Sequence, residues 1–217
     1  MTGARVTGAG GGAKRPVVLG ITGASGHLLA RCCVDRLLRY GYPILVVCTG
    51  PGRRVWREEL EEDLGGALAD WRSRGNVTEY HVNDVGAPIA SGGLATAGML
   101  VVPCSMGTLS GIATGAAGNL LERAADVTVK EYRPLVLVPR ETPLSPIHLE
   151  NMLSLARIGV RIVPPMPAFY LRPRTVEDIV DYLAGRVLSA LGIPEAVDEP
   201  PAYVPTTEPP RSGSAGR

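Results

Sequence analysis

The sequence predicts an α/β fold, a doubly wound parallel sheet held between two layers of helices. Three observations predict it. Short apolar runs and helix-like segments alternate along the chain, the pattern of successive βαβ units. The apolar runs, among them Ile44–Cys48 (ILVVC) and Pro134–Pro139 (PLVLVP), hold no polar residue to turn toward water, as expected of strands buried on both faces. Aromatic residues are only 5% of the chain and Phe169 is the single Phe. The core must therefore be aliphatic, which suits a parallel sheet.

The elements follow in order. Pro16–Ile21 (PVVLGI) reads as the first strand, closed by Thr-Gly-Ala-Ser-Gly. Leu28–Tyr40 has helical spacing at Leu28, Leu29, Cys32, Leu37 and Leu38, and Gly41 stops it. Ile44–Cys48 is the second strand. Arg53–Leu64 reads as a charged helix with Val55, Leu60 and Leu64 on one side, and Val77–His81 as a short strand. Gly98–Pro103 (GMLVVP) is a further strand ending at Cys-Ser-Met-Gly-Thr. Leu109–Ala125 reads as one helix whose glycines at 111, 115 and 118 suit close packing. Pro134–Pro139 is a strand, Ser145–Ile158 a helix, Arg161–Val163 a short strand and Thr175–Leu191 the last amphipathic helix. Residues 1–14, rich in Gly and Ala, and the Pro-rich 198–217 are expected to be flexible ends around one domain over 15–197.

The bulk properties exclude several classes. A net charge of +1 provides no global field for nucleic acid or an anionic membrane. Cys32, Cys33, Cys48 and Cys104 form no CxxC pair, and His27, His81 and His148 show no metal-ligand spacing. Neither a disulfide framework nor a metal site is expected. The first residues lack the apolar stretch of a secretory signal, and no run approaches the roughly 18 apolar residues of a membrane span. The expectation is a cytoplasmic protein.

Chemistry concentrates where strands end, the usual place for ligands in such sheets. Gly20-Ile-Thr-Gly-Ala-Ser-Gly26 joins a strand to a helix, so its glycines let a ligand approach and the helix start offers N–H groups to a phosphate. The spacing is not GxGxxG, and Thr49 stands where a dinucleotide site would place an acid on the ribose. A phosphorylated mononucleotide such as FMN fits better. The Thr49 hydroxyl suits a flavin or phosphate contact, and spacing alone favours a helix cap. Pro103-Cys-Ser-Met-Gly-Thr-Leu109 forms a second such turn, with hydroxyls on Ser105 and Thr108 and a free backbone at Gly107. Cys104 reads as a small buried hydrophobe and not a nucleophile. Arg123, Lys130, Arg140, Tyr170 and Arg186 are the cations and hydroxyl that a phosphate leaving group needs. Glu141 is a candidate for proton transfer. For Arg123 and Lys130 taken singly, surface ion pairs with Glu122, Asp126 or Glu131 are the better reading.

Five runs in order carry a family likeness: GITGASG (20–26), VPCSMGTLSGIATG (102–115), NLLERAADVTVKE (119–131), RPLVLVPRETPLSPIHLENM (133–152) and PPMPAFYLRP (164–173). Over about residues 16–196 the sequence resembles the UbiX-like flavin prenyltransferases. The resemblance implies a Rossmann-like (flavodoxin-like) fold, a homododecamer, and transfer of a dimethylallyl group from dimethylallyl phosphate or diphosphate to N5 and C6 of reduced FMN. It implies no metal, and a UbiD-like decarboxylase as recipient of the prenylated FMN. It further implies that Gly23, Ala24 and Ser25 hold FMN at the first turn, that Thr49 takes the family's Ser position, and that Ser105, Met106, Gly107 and Thr108 form the second FMN loop. Arg140 would contact FMN, Tyr170 and Arg186 the prenyl phosphate. Arg123 and Lys130 would join the phosphate site by reaching a neighbouring subunit's pocket. Glu141 and Glu59 would be the active-site acids. Two stretches depart from the family pattern: residues 50–56 (GPGRRVW) replace a Ser-Lys-Ala-Ala-like helix start, and the only tryptophans are Trp56 and Trp71, with none in the tail. The alternatives are an FMN-binding accessory or carrier subunit of a decarboxylase, and a cysteine-type flavin-dependent decarboxylase. The second carries Pro-Ala-Ser-Ala-Asn-Thr where this chain has Pro-Cys-Ser-Met-Gly-Thr.

Overall fold

The computed structural model describes residues 13–193. The expected flexible ends lie outside these residues, except for Ala13 and Lys14; the Lys14 ammonium sits 4.1 Å from the centroid of the Tyr42 ring. Six strands form one sheet: β1 (Val17–Ile21), β2 (Ile44–Cys48), β3 (Val77–Tyr80), β4 (Gly98–Cys104), β5 (Leu135–Pro139) and β6 (Arg161–Ile162). The spatial order is β3-β2-β1-β4-β5-β6, and every pairing is parallel. The chain winds outward from β1 to β3, then returns to the other side of β1 for β4. The switch point therefore falls between β1 and β4.

Strands β1, β2, β4 and β5 are buried along their whole length, which is why each reads as an unbroken apolar run. Helices α1 (His27–Arg39), α2 (Gly50–Leu60), α3 (Leu64–Arg74) and α7 (Val176–Leu191) cover one face. Helices α4 (Met106–Thr114), α5 (Leu120–Lys130) and α6 (Pro146–Arg157) cover the other. Alternation along β1 feeds both cores: Val17, Leu19 and Ile21 face the first layer and Val18 the second.

Two expected helices differ from those observed. The expected Arg53–Leu64 helix starts earlier, where the Thr49 hydroxyl accepts from the Gly52 amide and Pro51 occupies the first turn. It ends at Glu61, which takes a left-handed φ of 53°. Asp63 then caps a separate helix, α3, by accepting from the Gly65 amide. The expected Leu109–Ala125 helix is two helices. Gly115 (φ 67°) and Ala117 (φ 49°) turn the chain out of the helix, and the Asn119 side chain restarts it by accepting from the Glu122 amide.

Gly98 opens β4 with φ 148°. An added Cβ there would lie 2.7 Å from the Pro134 carbonyl oxygen and 3.0 Å from Leu191 Cδ1. Gly98→Ala combines a backbone conformation hostile to L-residues with a clash against main chain. It should destabilise the protein by about 2–4 kcal/mol, read as a lowered midpoint in denaturant unfolding.

Candidate active site

The turns at the carboxyl edge are stitched into one seam. Thr22, fully buried, donates its hydroxyl to the Pro103 carbonyl at 2.8 Å and accepts from the Ser105 amide at 2.8 Å. One side chain thus uses donor and acceptor together to join the turn after β1 to the turn after β4. The Thr49 amide donates to the Ile21 carbonyl at 3.0 Å, and the Arg140 amide to the Cys104 carbonyl at 3.3 Å. Strand ends β2, β1, β4 and β5 are thereby held side by side.

Within the seam each expected residue has a definite place. A Cβ at Gly23 would lie 2.6 Å from Pro51 Cβ, so glycine lets α2 dock against the first turn. Ala24 is buried and Ser25 exposed. Thr49 acts as the cap of α2, its hydroxyl accepting from the Gly52 amide at 3.1 Å. Ser105 caps α4: its oxygen accepts from the Thr108 amide at 3.4 Å, and its hydroxyl donates to Thr108 Oγ1 at 3.1 Å. Gly107 is exposed in the first turn of α4, with no atom within 4 Å of where a Cβ would point. The start of α4 is therefore uncrowded at Gly107, while its Thr108 N–H is taken by the Ser105 hydroxyl. Met106 is half-buried against the second core.

Helix α1 behaves differently from expectation. Its first amides are taken by Glu59, which reaches across from α2. Gly26 N–H lies 3.1 and 3.0 Å from the two carboxylate oxygens, and His27 N–H lies 2.8 Å from Oε2. A carboxylate at a helix start is favoured by the helix dipole. Burial pushes the Glu59 carboxyl up, but the Ser25 hydroxyl and the amides of His27 and Gly26 outweigh it, and the group sits below the usual carboxylate range. Glu59 is thus ionised at neutral pH and hydrogen-bonded to Ser25.

Arg140 is half-buried, and its Nε is buried without a hydrogen-bond partner. An orphaned guanidinium N–H at a strand end is an opening for an anionic or carbonyl acceptor. Glu141 beside it is exposed and accepts from the Thr142 amide at 2.9 Å. Cys104 is fully buried, and burial pushes its thiol up, so it is the protonated core residue that its context suggested.

The remaining candidate residues take other partners within the chain. Tyr170, in a 3-10 turn at Phe169–Leu171, hydrogen-bonds Tyr182 on α7, and Arg186 lies within electrostatic reach of that pair. Arg123 donates to the Ala90 carbonyl at 3.2 Å and pairs with Asp126, and Lys130 pairs with Glu131. The surface ion pairs weighed for these two residues are what the single chain shows. Tyr182 packs on the α1/α7 core and the buried face of α5 on the opposite core, so the sheet separates the two groups. Lys130 ends α5 before β5 begins, whereas Arg140 follows β5's last residue, a strand length of roughly 16 Å away. Lys130 instead borders a hollow of about 480 Å³ at the opposite edge of the sheet, with Tyr132, Arg133 and Arg161. Apolar side chains also stand exposed on and beside α6, among them Ile147, Leu149, Leu153 and Ile158, with Tyr132 98% exposed nearby.

Comparison with known proteins shows the family. Residues 10–188 match the Flavoprotein family. The chain belongs to that family. It is 49% identical over 180 residues to a protein of Halalkalibacterium halodurans called flavin prenyltransferase UbiX, covering 81% of this chain and 87% of that one. The structure resembles AnUbiX (PadA1), solved in complex with FMN and dimethylallyl pyrophosphate, with a TM-score of 0.80, 36% identity and coverage of 88% of this chain and 100% of that chain. It also resembles a dodecameric FMN-dependent UbiX-like decarboxylase from Escherichia coli O157:H7, with a TM-score of 0.76, 43% identity and coverage of 82% and 94%. Among the described residues no helix is long and apolar enough to cross a membrane.

Thr22 is the site residue that sequence reasoning passed over, although it lies inside the first motif. Its signal was a hydroxyl at the last buried position before a glycine turn. Thr22→Val keeps the shape but removes the donor and acceptor, leaving the Ser105 amide and Pro103 carbonyl without their partner. A loss of about 2–4 kcal/mol in stability and roughly tenfold weaker FMN binding are expected, measured by thermal unfolding and flavin fluorescence titration.

Proposed function

We propose that this chain is a flavin prenyltransferase, moving a dimethylallyl group from dimethylallyl phosphate or diphosphate to N5 and C6 of reduced FMN. The observation that carries the proposal is the seam, in which an ionised Glu59 bonded to Ser25, the uncrowded start of α4 at Gly107 and the Arg140 guanidinium, its buried Nε without a partner, meet the carboxyl edge at the switch point. The residues fit an FMN-sized ligand: Gly107 leaves room, and Arg140 Nε lacks an acceptor of its own. Bound reduced FMN would supply the electron-rich ring that accepts the prenyl carbon.

The chain's own groups then have separate tasks. Gly23–Ser25 and Ser105–Thr108 hold the ligand between the two turns. Glu59 accepts a proton through the Ser25 hydroxyl, and Glu141 serves the same chemistry from the end of β5. Arg123, Lys130, Tyr170 and Arg186 neutralise and hydrogen-bond the departing phosphate. Because the sheet separates these last residues, one chain does not bring them to one phosphate. Their convergence requires other copies, and the exposed apolar residues about α6 and the hollow beside Lys130 are surfaces suited to such copies. We assign the assembly as a homododecamer in the cytoplasm, and the recipient of the prenylated flavin as a UbiD-like decarboxylase.

The direct test is anaerobic incubation with FMN, a reductant and dimethylallyl phosphate or diphosphate, followed by mass spectrometry of the extracted flavin. A gain of one five-carbon prenyl unit is expected. An unchanged flavin with both donors, despite bound FMN, would sink the prenyl-transfer reading. A second test addresses sharing. Arg123→Ala and Tyr170→Phe should each lose at least tenfold in rate. Co-refolded at equal amounts, they should recover about a quarter of the wild-type rate, the chance that each of two contributing copies is the intact one. A site built within one chain would recover nothing.

A further inference from the structure

His27 is the first residue of α1 and is fully buried. Its ring meets Trp56 edge-to-face with centroids 5.6 Å apart at 86°, and Trp56 meets Trp71 in the same way at 5.6 Å and 88°. Both tryptophans are buried. A polar ring enclosed in this manner needs a polar partner, and the partner is Glu59: Nδ1 lies 3.3 Å from Oε2, the oxygen that also accepts the His27 amide. The other groups facing the pair are neutral. They are the Ser25 hydroxyl and the Gly26 amide on the carboxylate, and the backbone of Thr22 and Gly52 near the imidazole. The arginines of α1 and α2 in this neighbourhood are engaged elsewhere, Arg31 with Glu62, Arg53 with Glu79, Arg54 with Glu58 and Arg57 with Asp63.

We propose that His27 is a positioning residue for Glu59: its Nδ1–H, braced from behind by Trp56 and Trp71, fixes the carboxylate beside Ser25 as the proton acceptor of the site. This rests on the prenyl-transfer reading for its catalytic consequence, though not for its geometry. Burial holds His27 below its ordinary pKa against the opposing pull of Glu59, and Glu59 is itself held low. Around neutral pH the pair is therefore a carboxylate and a neutral imidazole. An ionised carboxylate can only accept, so the imidazole proton sits on Nδ1. Loss of this donor takes away one of the hydrogen bonds that keep Glu59 ionised. The Glu59 pKa would then rise, and base-competent Glu59 would be lost at a higher pH on acidification.

The test separates the geometry from the reaction. In the wild-type protein without flavin, long-range ¹H–¹⁵N NMR of the imidazoles, assigned with His27→Asn, should show His27 as the neutral Nδ1–H tautomer near pH 7. In single-turnover prenyl transfer, His27→Gln, whose amide extends toward the Nε2 position, should lose at least about tenfold in rate. Its acid limb should move up by about one pH unit. His27→Asn, whose amide can take the place of Nδ1–H, should stay within about threefold of wild type, with FMN affinity unchanged in both variants. Thermal melts compare the two for folding, since both shrink the ring that packs on Trp56. An Nε2–H tautomer, or a His27→Gln protein with the wild-type rate and acid limb, would overturn the proposal. Wild-type protein that fails to prenylate flavin would sink the function reading instead, and the tautomer would still decide the His27–Glu59 contact.

Discussion

One buried hydroxyl, on Thr22, ties together the two turns on which the site depends. It is saturated on both sides, giving to Pro103 and taking from Ser105. A buried side chain that uses donor and acceptor at 2.8 Å each leaves little slack. The Ser105–Thr108 turn cannot move without the Gly23–Gly26 turn. This is also where the strand order reverses, so the crevice that any doubly wound sheet opens at its switch point is here given a fixed width.

The same sheet that creates the crevice divides the residues proposed to bind the phosphate. Tyr170 and Arg186 belong to the α1/α7 layer, and Arg123 and Lys130 to the α5 layer. No side chain spans a sheet and both of its cores. The fold therefore accounts for why an isolated chain shows Arg123 and Lys130 in local ion pairs with Asp126 and Glu131. Such part-exposed pairs are weak, and in the proposed assembly they would be exchanged for a doubly charged phosphate.

Much of this was legible in the sequence, and the limits have physical causes. Strands buried on both faces announce themselves as apolar runs, and β1, β2, β4 and β5 lie within two residues of their expected bounds. The strand-end turns were found because glycine and hydroxyl residues follow those runs. Helix α3 was missed because Gly65 and Gly66 weaken its propensity and its start depends on the Asp63 cap. The break between α4 and α5 rests on positive φ at Gly115 and Ala117, and a non-glycine there has no sequence signature. Glu59 was placed only by resemblance. Its hold on Gly26 and His27 crosses more than 30 residues of chain, the packing of His27 on Trp56 nearly as many, and no periodicity encodes contacts of that kind.

The central claim is that FMN lies in the Thr22-stitched seam and that the site of the prenyl phosphate beside it is completed by side chains of other copies. An electron cryo-microscopy structure of the assembled protein with FMN and inorganic phosphate tests it most directly. Flavin density is expected between Gly23–Ser25 and Ser105–Thr108 against Arg140, with the phosphate contacted by Lys130 of one copy and Arg186 of another. Flavin bound in the hollow beside Lys130 and Arg161, or a phosphate held by a single chain, would contradict it.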